Sequence, residues 1–267
     1  MKFASSQLLL LLMLVFTFSC KKSATPANSI KNNPFAGNVT LVNQNDSVSA
    51  NNAGISVTVE NVLPNLSKTT DANGNFSFGD ISGADLVCLR FSYPGYGTVR
   101  QYFSASYIDS VKRGQKSFIC NPVLVPQSAT VITDLTLVSL IKNNDSSYLL
   151  NLNAKISVPN ANATNGITIF LQKNNPILSF RTCTGQEVGT CTYLNLPVTN
   201  GDYNLHLAIK CSPHCFCVSS GDTVYVKAYG SSFSNFGTSY YDLQNKLMVF
   251  PTISDPNNVQ GLSVMVP

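Results

Sequence analysis

Tryptophan is absent from all 267 residues, histidine occurs twice, and only 11% of the residues are charged. Nucleophilic catalysis needs a base beside its nucleophile, and His206 and His214 are the only imidazoles available. A Gly-x-Ser-x-Gly elbow and a phosphate-cradling glycine loop are missing as well. Basic residues do not gather: Lys112-Arg113 is the longest basic run after Lys21-Lys22, so a formal charge of +4 marks no nucleic-acid surface. No capped amphipathic stretch reaches ten residues, which argues against a helical fold. The 13 acids offer many pairings for a sugar-hydrolysing carboxylate pair, yet most stand beside turn residues, as in Asn200-Gly201-Asp202 and Ser220-Gly221-Asp222. These absences lead us to expect neither catalytic residues nor a cofactor.

What is present begins with Lys2, an apolar run from Leu8 to Phe18, and then Ser19-Cys20-Lys21-Lys22. The run falls short of the ~20 apolar residues of a transmembrane helix and reads as a secretory signal over residues 1–19. With Ser19 before Cys20, it resembles a bacterial lipoprotein signal, and Phe-Ser-Cys-Lys-Lys is similar to the loosened form common in Bacteroidetes lipoproteins. That resemblance implies an acyl-modified Cys20 held in a lipid bilayer. Residues 20–34, rich in Ser, Ala, Asn, Pro and Lys, read as a flexible tether. No acid follows Cys20 before Asp46, so an outer-membrane anchor facing the periplasm is expected and not surface display.

The legible part of the remaining chain is Thr69-Thr70-Asp71-Ala72-Asn73-Gly74-Asn75-Phe76-Ser77-Phe78, a turn signal running into an alternating strand. Asp71 is suited to bonding amides two residues on and Gly74 to a positive φ, after which Phe76 and Phe78 share one face. Strands are expected on both sides, at Gly54–Val59 and around Leu86–Tyr93. Asp71 and Asn73 also supply oxygens for a calcium reading, but Ser82 stands where an EF-hand glutamate belongs, and a plain turn is preferred. Together with Ile81 and Phe91-Ser92-Tyr93-Pro94-Gly95-Tyr96, these residues resemble a carboxypeptidase regulatory-like domain, a transthyretin-like β-sandwich. Such domains are appended modules without catalytic residues. In keeping with that, neither histidine has glutamate at the His-x-x-Glu spacing of the metallocarboxypeptidases.

Pro122 and Pro126 mark a boundary, giving a first domain of 35–126 and a second of 127–267. Strand-like bursts in the second, at Thr130–Leu140, Ser147–Val158, Gly166–Leu171, Thr190–Leu196, Asp202–Lys210, Asp222–Tyr229, Lys246–Phe250 and Leu262–Val266, predict an Ig-like sandwich. Asp222-Thr223-Val224-Tyr225-Val226-Lys227-Ala228-Tyr229 resembles the penultimate strand of a fibronectin type III domain. The predicted fold is therefore all-β, two tandem β-sandwiches behind a signal peptide. His206 alternates with Leu205 and Leu207 and is expected to face solvent.

Seven cysteines follow Cys20. In an oxidising compartment Cys183 and Cys191, which bracket a glycine-containing loop, are the favoured disulfide pair, and Cys211 with Cys215 or Cys217 is a second candidate. Cys211-Ser212-Pro213-His214-Cys215-Phe216-Cys217 also reads as a metal site, but its spacing suits neither a zinc knuckle nor a redox Cys-x-x-Cys motif, so no metal is expected.

Two functions remain: an envelope interaction or scaffolding module for a protein partner, and a glycan-binding accessory of an uptake system, with an envelope hydrolase the least supported. The best candidate surface is Tyr240-Tyr241 in the Ser/Gly/Asn-rich expected loop Gly230–Tyr241, since aromatic faces suit sugars. Mass spectrometry of the unreduced, detergent-extracted protein checks the covalent chemistry. A lipid mass on a peptide beginning at Cys20 and a Cys183–Cys191 linked peptide are expected; free thiols with stoichiometric zinc contradict the disulfide framework.

Overall fold

The computed structural model describes residues 35–79, 81, 85–144, 147–158, 165–174, 191–210, 218–232, 239–253 and 259–267. Pro34–Pro267 forms one compact unit, within which two β-sandwich lobes are distinguishable.

In the first lobe the alternating stretches become strands: Phe35–Asn38 (β1), Thr40–Leu41 (β2), Ser56–Glu60 (β3), Leu66–Thr69 (β4), Asn75–Phe78 (β5), Leu86–Ser92 (β6), Val99–Ser104 (β7) and Val123–Leu124 (β8). One layer is an antiparallel sheet in the order β4-β3-β6-β7. The other is built around the β1–β2 run, which pairs antiparallel with β5 on one side and parallel, through β2, with β8 on the other. Phe76, Phe78, Val57, Val59, Leu89 and Phe91 from the two layers meet in one apolar core.

The turn ahead of β5 has the expected chemistry. Asn73 N–H and Asn75 N–H donate to Asp71 Oδ1 at 2.9 and 2.8 Å, and the Asn75 amide donates to Oδ2 at 3.0 Å. Gly74 has φ +82°, and its carbonyl accepts from Val39 N–H at 2.8 Å, tying the turn to the opposite strand. Phe76 and Phe78 are buried while Ser77 between them is exposed. A short helix, Ala105–Lys112 (α1), follows β7, capped where Ser104 Oγ accepts from Tyr107 N–H at 3.3 Å. At eight residues it buries only Ile108 and Val111, too brief a pattern to stand out from the surrounding alternation.

The second lobe uses Val131–Asn144 (β9), Ser147–Ser157 (β10), Asn165–Lys173 (β11), Cys191–Pro197 (β12), Gly201–Lys210 (β13), Thr223–Ser232 (β14) and Val259–Met265 (β17). Two further short strands, Tyr240–Asp242 (β15) and Leu247–Val249 (β16), form a separate hairpin. The sandwich opposes an antiparallel sheet β13-β10-β9 to another, β12-β11-β14-β17. The first, second and fifth strands thus face the third, fourth, sixth and seventh, an Ig-type Greek-key order with β14 as its penultimate strand. Leu150, Leu152, Ile167, Ile169, Val224 and Val226 lie at the centre of its core.

The hairpin is inserted between the last two sandwich strands. The segment after it buries an aromatic cluster on the outer face of β11 and β14: Phe170 meets Phe250 at 4.9 Å and Tyr229 at 5.5 Å, both edge-on. This second covering explains why β11 is buried almost without alternation, as a strand enclosed on both faces must be. The lobes approach closely here, since a Cβ on Gly97 would lie 2.4 Å from the Pro251 carbonyl oxygen. The predicted boundary segment is held as well: Gln127 N–H donates to Gly95 O at 2.9 Å, Ser128 N–H to Thr252 O at 3.1 Å, and Ser232 Oγ to Pro126 O at 2.8 Å.

Gly74→Ala should be costly, because its Cβ would meet Val39 O at 2.0 Å in a conformation that side chains rarely adopt. Chemical denaturation should show a loss of at least about 2 kcal/mol. Gly79→Ala, with no atom within 4 Å of the new Cβ, should stay within roughly 0.5 kcal/mol of the parent.

Candidate functional site

Strand alternation in β7 sends Arg100 and Tyr102 to one face and Val99, Gln101 and Phe103 to the other. On the face away from the first core, register sets Arg100 opposite Arg90, Tyr102 opposite Cys88, and Cys88 opposite Glu60. Two arginines directly across a ladder repel, and Glu60 answers both: Arg100 Nε donates to Oε2 at 2.8 Å, and Arg90 Nε lies 3.0 Å from Oε1 as an ion pair. Burial pushes the Glu60 carboxyl up, but the Arg100 hydrogen bond and charge, with smaller contributions from Cys88 and Arg90, outweigh it and hold the group below its ordinary value. The Cys88 thiol donates to Glu60 Oε2 at 3.4 Å and is pushed up to about 12, first by burial and then by the carboxylate beside it. It is a thiol, not a thiolate, at neutral pH.

The second carboxylate in this cluster comes from the hairpin of the other lobe. Asp242 is 1% exposed. Tyr102 O–H donates to its Oδ1 at 2.6 Å and Arg100 Nη1 to its Oδ2 at 3.4 Å. Gln244 N–H, Asn245 N–H and the Asn245 side chain add donors at 2.9, 3.0 and 2.9 Å from the hairpin's own turn. Burial raises the Asp242 carboxyl, and these donors, Tyr102 foremost, overcome it and keep the group ionised below its ordinary range.

Beside this cluster lies a groove of about 270 Å³. Val99, Val123, Val125, Pro122 and Pro251 supply its apolar wall, and Gln101, Asn121, Ser239 and Tyr240 its polar one. Among the described residues that line it there is no formal charge. Gln101 Oε1 accepts from the Cys120 thiol at 3.0 Å, leaving the amide nitrogen as a donor; Tyr240 O–H donates to Thr98 O at 3.4 Å. Burial pushes the Tyr240 hydroxyl up to about 12, so it remains a neutral donor and acceptor.

Of the residues singled out in the sequence, Tyr240 lines the groove and Tyr241 stands next to it on β15, half-buried. The pair lies on a strand and not in a loop, because β15 finds a partner in β16, seven residues further on. Cys20, Cys183, Cys211, Cys215 and Cys217 lie outside the described residues, as does the side chain of Cys191, which opens β12. Cys88 and Cys120 are free and buried on opposite faces of the first lobe's larger sheet, Cys120 joining the core. His206 is exposed between buried Leu205 and Leu207, and its Nδ1 lies 2.6 Å from Asn151 Oδ1. Asn151 Nδ2 donates to Ser139 Oγ at 2.7 Å, so serine and histidine stand on either side of an amide instead of touching. Among the described residues no three His, Cys, Asp or Glu side chains gather to hold a metal ion, and no helix is long and apolar enough to cross a membrane. Gln101, Asn121 and the Arg100–Asp242 contact were not signalled by any local motif, since their partners are as many as 142 positions apart.

The architecture defines an all-β protein of multi-sheet sandwich class. No family model matches the chain and no curated protein does. Among solved structures it is similar to a candidate carbohydrate-binding protein of Bacteroides uniformis at 10% identity and a TM-score of 0.25, covering 86% of this chain and 98% of that one. A DUF3823 family protein of Bacteroides ovatus is 10% identical at a TM-score of 0.25, over 74% of this chain and 90% of that one. A Parabacteroides merdae beta-glucuronidase is 9% identical at 0.27, over 81% of this chain but 25% of that one. TM-scores this low leave function to be read from the residues themselves.

Glu60→Gln should destabilise the protein by about 1–3 kcal/mol at neutral pH, as two arginines lose their shared carboxylate. The folded carboxyl titrates below the ordinary value of 4.5, so its contribution is complete above that pH and disappears as pH falls through the lower folded value. Denaturation series from pH 7 to pH 2 should therefore converge for parent and variant at the acid end; a constant gap across the range would contradict the assignment.

Proposed function

We propose that this protein is a non-catalytic lipoprotein of the cell envelope whose groove beside Tyr240 binds a small saccharide. The observation that carries this reading is the chemistry of the lining: amides, hydroxyls and an aromatic ring beside an apolar wall, with no charge among the described lining residues. Sugars present hydroxyls that both donate and accept, together with apolar C–H faces that rest on aromatic rings. A charged ligand would meet no counter-ion among the described lining residues. At about 270 Å³ the groove sits at the small end of ligand clefts, which commonly run from ~300 Å³ upward, and suits one or two sugar rings at a chain terminus. Placement at a membrane rests on the apolar run before Cys20, and the non-catalytic reading on the missing nucleophile and base motifs.

A second reading has an observation of its own. β9 is the edge strand of its sheet, and Leu137, Val138 and Ile141 on it are exposed, as in strands that accept an added strand from a protein partner. The two readings separate on one pair of variants. A glycan array should show binding to short saccharides, with Tyr240→Ala lowering affinity at least about tenfold and Val138→Lys leaving it unchanged. A blank array, with an envelope protein captured by the parent and lost on Val138→Lys, would replace the saccharide reading by the interaction reading.

A further inference from the structure

The hairpin Tyr240–Val249 belongs to neither sandwich sheet, yet one of its strands forms a wall of the groove. Tyr240 and Asp242 stand two residues apart on β15 and so share a face. That face meets Thr98, just before β7, through the Tyr240 hydroxyl, then Arg100 and Tyr102 of β7 through the Asp242 carboxylate. The donors on Asp242 divide by origin: three from Gln244 and Asn245 close the hairpin's own turn, and two from β7 fix the hairpin to the other lobe. We infer that Asp242 is the positioning residue of the groove, a latch that pins the hairpin along β7, holds Tyr240 in the lining it shares with Val99 and Gln101, and seals Cys88 beneath it. As to the groove, the inference rests on the saccharide reading; the latch itself does not.

Cys88 makes the latch measurable without any ligand. It is 0% exposed on the face of β6 that looks away from the core, directly across from Tyr102, whose hydroxyl is held by Asp242. Cys120 is equally shielded, at 1% exposed, but within the first core. Releasing the latch should uncover the first thiol and not the second. The far end of the insertion keeps its own anchors, Phe250 and Ile253 in the aromatic cluster and the Thr252 carbonyl bonded to Ser128 N–H, so the fold survives the loss of the latch.

The test is N-ethylmaleimide labelling of the native full chain, read by tryptic mass spectrometry. Residues 69–90 carry Cys88 as their only cysteine and residues 117–142 carry Cys120 as theirs. In Asp242→Asn the amide presents N–H donors of its own where Arg100 needs an acceptor. Cys88 labelling is expected to accelerate about tenfold or more while Cys120 stays at the parental rate, as for a local opening. Tyr102→Phe, which removes one of the two cross-lobe donors, should give a smaller acceleration with the same selectivity. Unchanged Cys88 labelling in both variants overturns the latch, and so does a parallel rise at Cys120, which would mean that the whole lobe has loosened. The positioning role is then read from the saccharide found on the array: Asp242→Asn should weaken its binding, and an unchanged Kd beside an uncovered Cys88 overturns that role. A parent that binds no saccharide but shows selective Cys88 release in the variants would refute the saccharide reading and leave the latch supported.

Discussion

A carboxylate with 1% of its surface exposed must replace its lost water with protein donors, and Asp242 collects five. Three come from its own turn and are sequence-local. The other two belong to a strand of the other lobe, and they decide where the hairpin lies. Arg100, engaged by Asp242 on one side, is held by Glu60 on the other, and Glu60 in turn neutralises Arg90. Two carboxylates and two guanidinium groups thus close a balanced cluster on a sheet face that would otherwise present two opposed arginines. The groove, the shielding of Cys88 and the orientation of Tyr240 all follow from that one arrangement.

Apolar packing supports the polar cluster from the other end of the insertion. Phe250 and Ile253 cover Phe170 and Tyr229, which point away from the sandwich core and would leave two large rings in water. The insertion is therefore fixed twice, by charge on the first lobe and by aromatic contact on the second. With the segment Pro126–Ser128 hydrogen-bonded to Gly95 on one side and to Ser232 and Thr252 on the other, the residues from Pro34 onward form one compact unit. The groove at this junction draws its walls from several segments: β7, the stretch around Asn121, and the insertion.

Much of the fold was legible because period-2 alternation is a local signal. The Asp71–Gly74 turn, the burial of Phe76 and Phe78, the solvent-facing His206 and the strands of the second sandwich follow from neighbours a few residues apart. The helix Ala105–Lys112 was not, since two buried positions in eight residues carry little periodicity. Tyr240-Tyr241 read as a loop because the serines, glycines and asparagines before it are turn formers, while the strand that pairs with it is three residues long. Of the residues that line the groove, Tyr240 could be anticipated as an aromatic in a polar stretch. Gln101 and Asn121 could not, being single amides in unremarkable surroundings.

The sequence by itself determined the all-β class, the turn chemistry and which residues of each strand face a core, because those depend on side-chain order along a few residues. Only the tertiary structure decided that the insertion after β14 crosses to the first lobe, that Asp242 finds Arg100 and Tyr102, and that Tyr240 meets Thr98. These pairings span about 140 positions, and they arise from the need to satisfy a buried charge and cover exposed rings, needs that no local pattern of residues records.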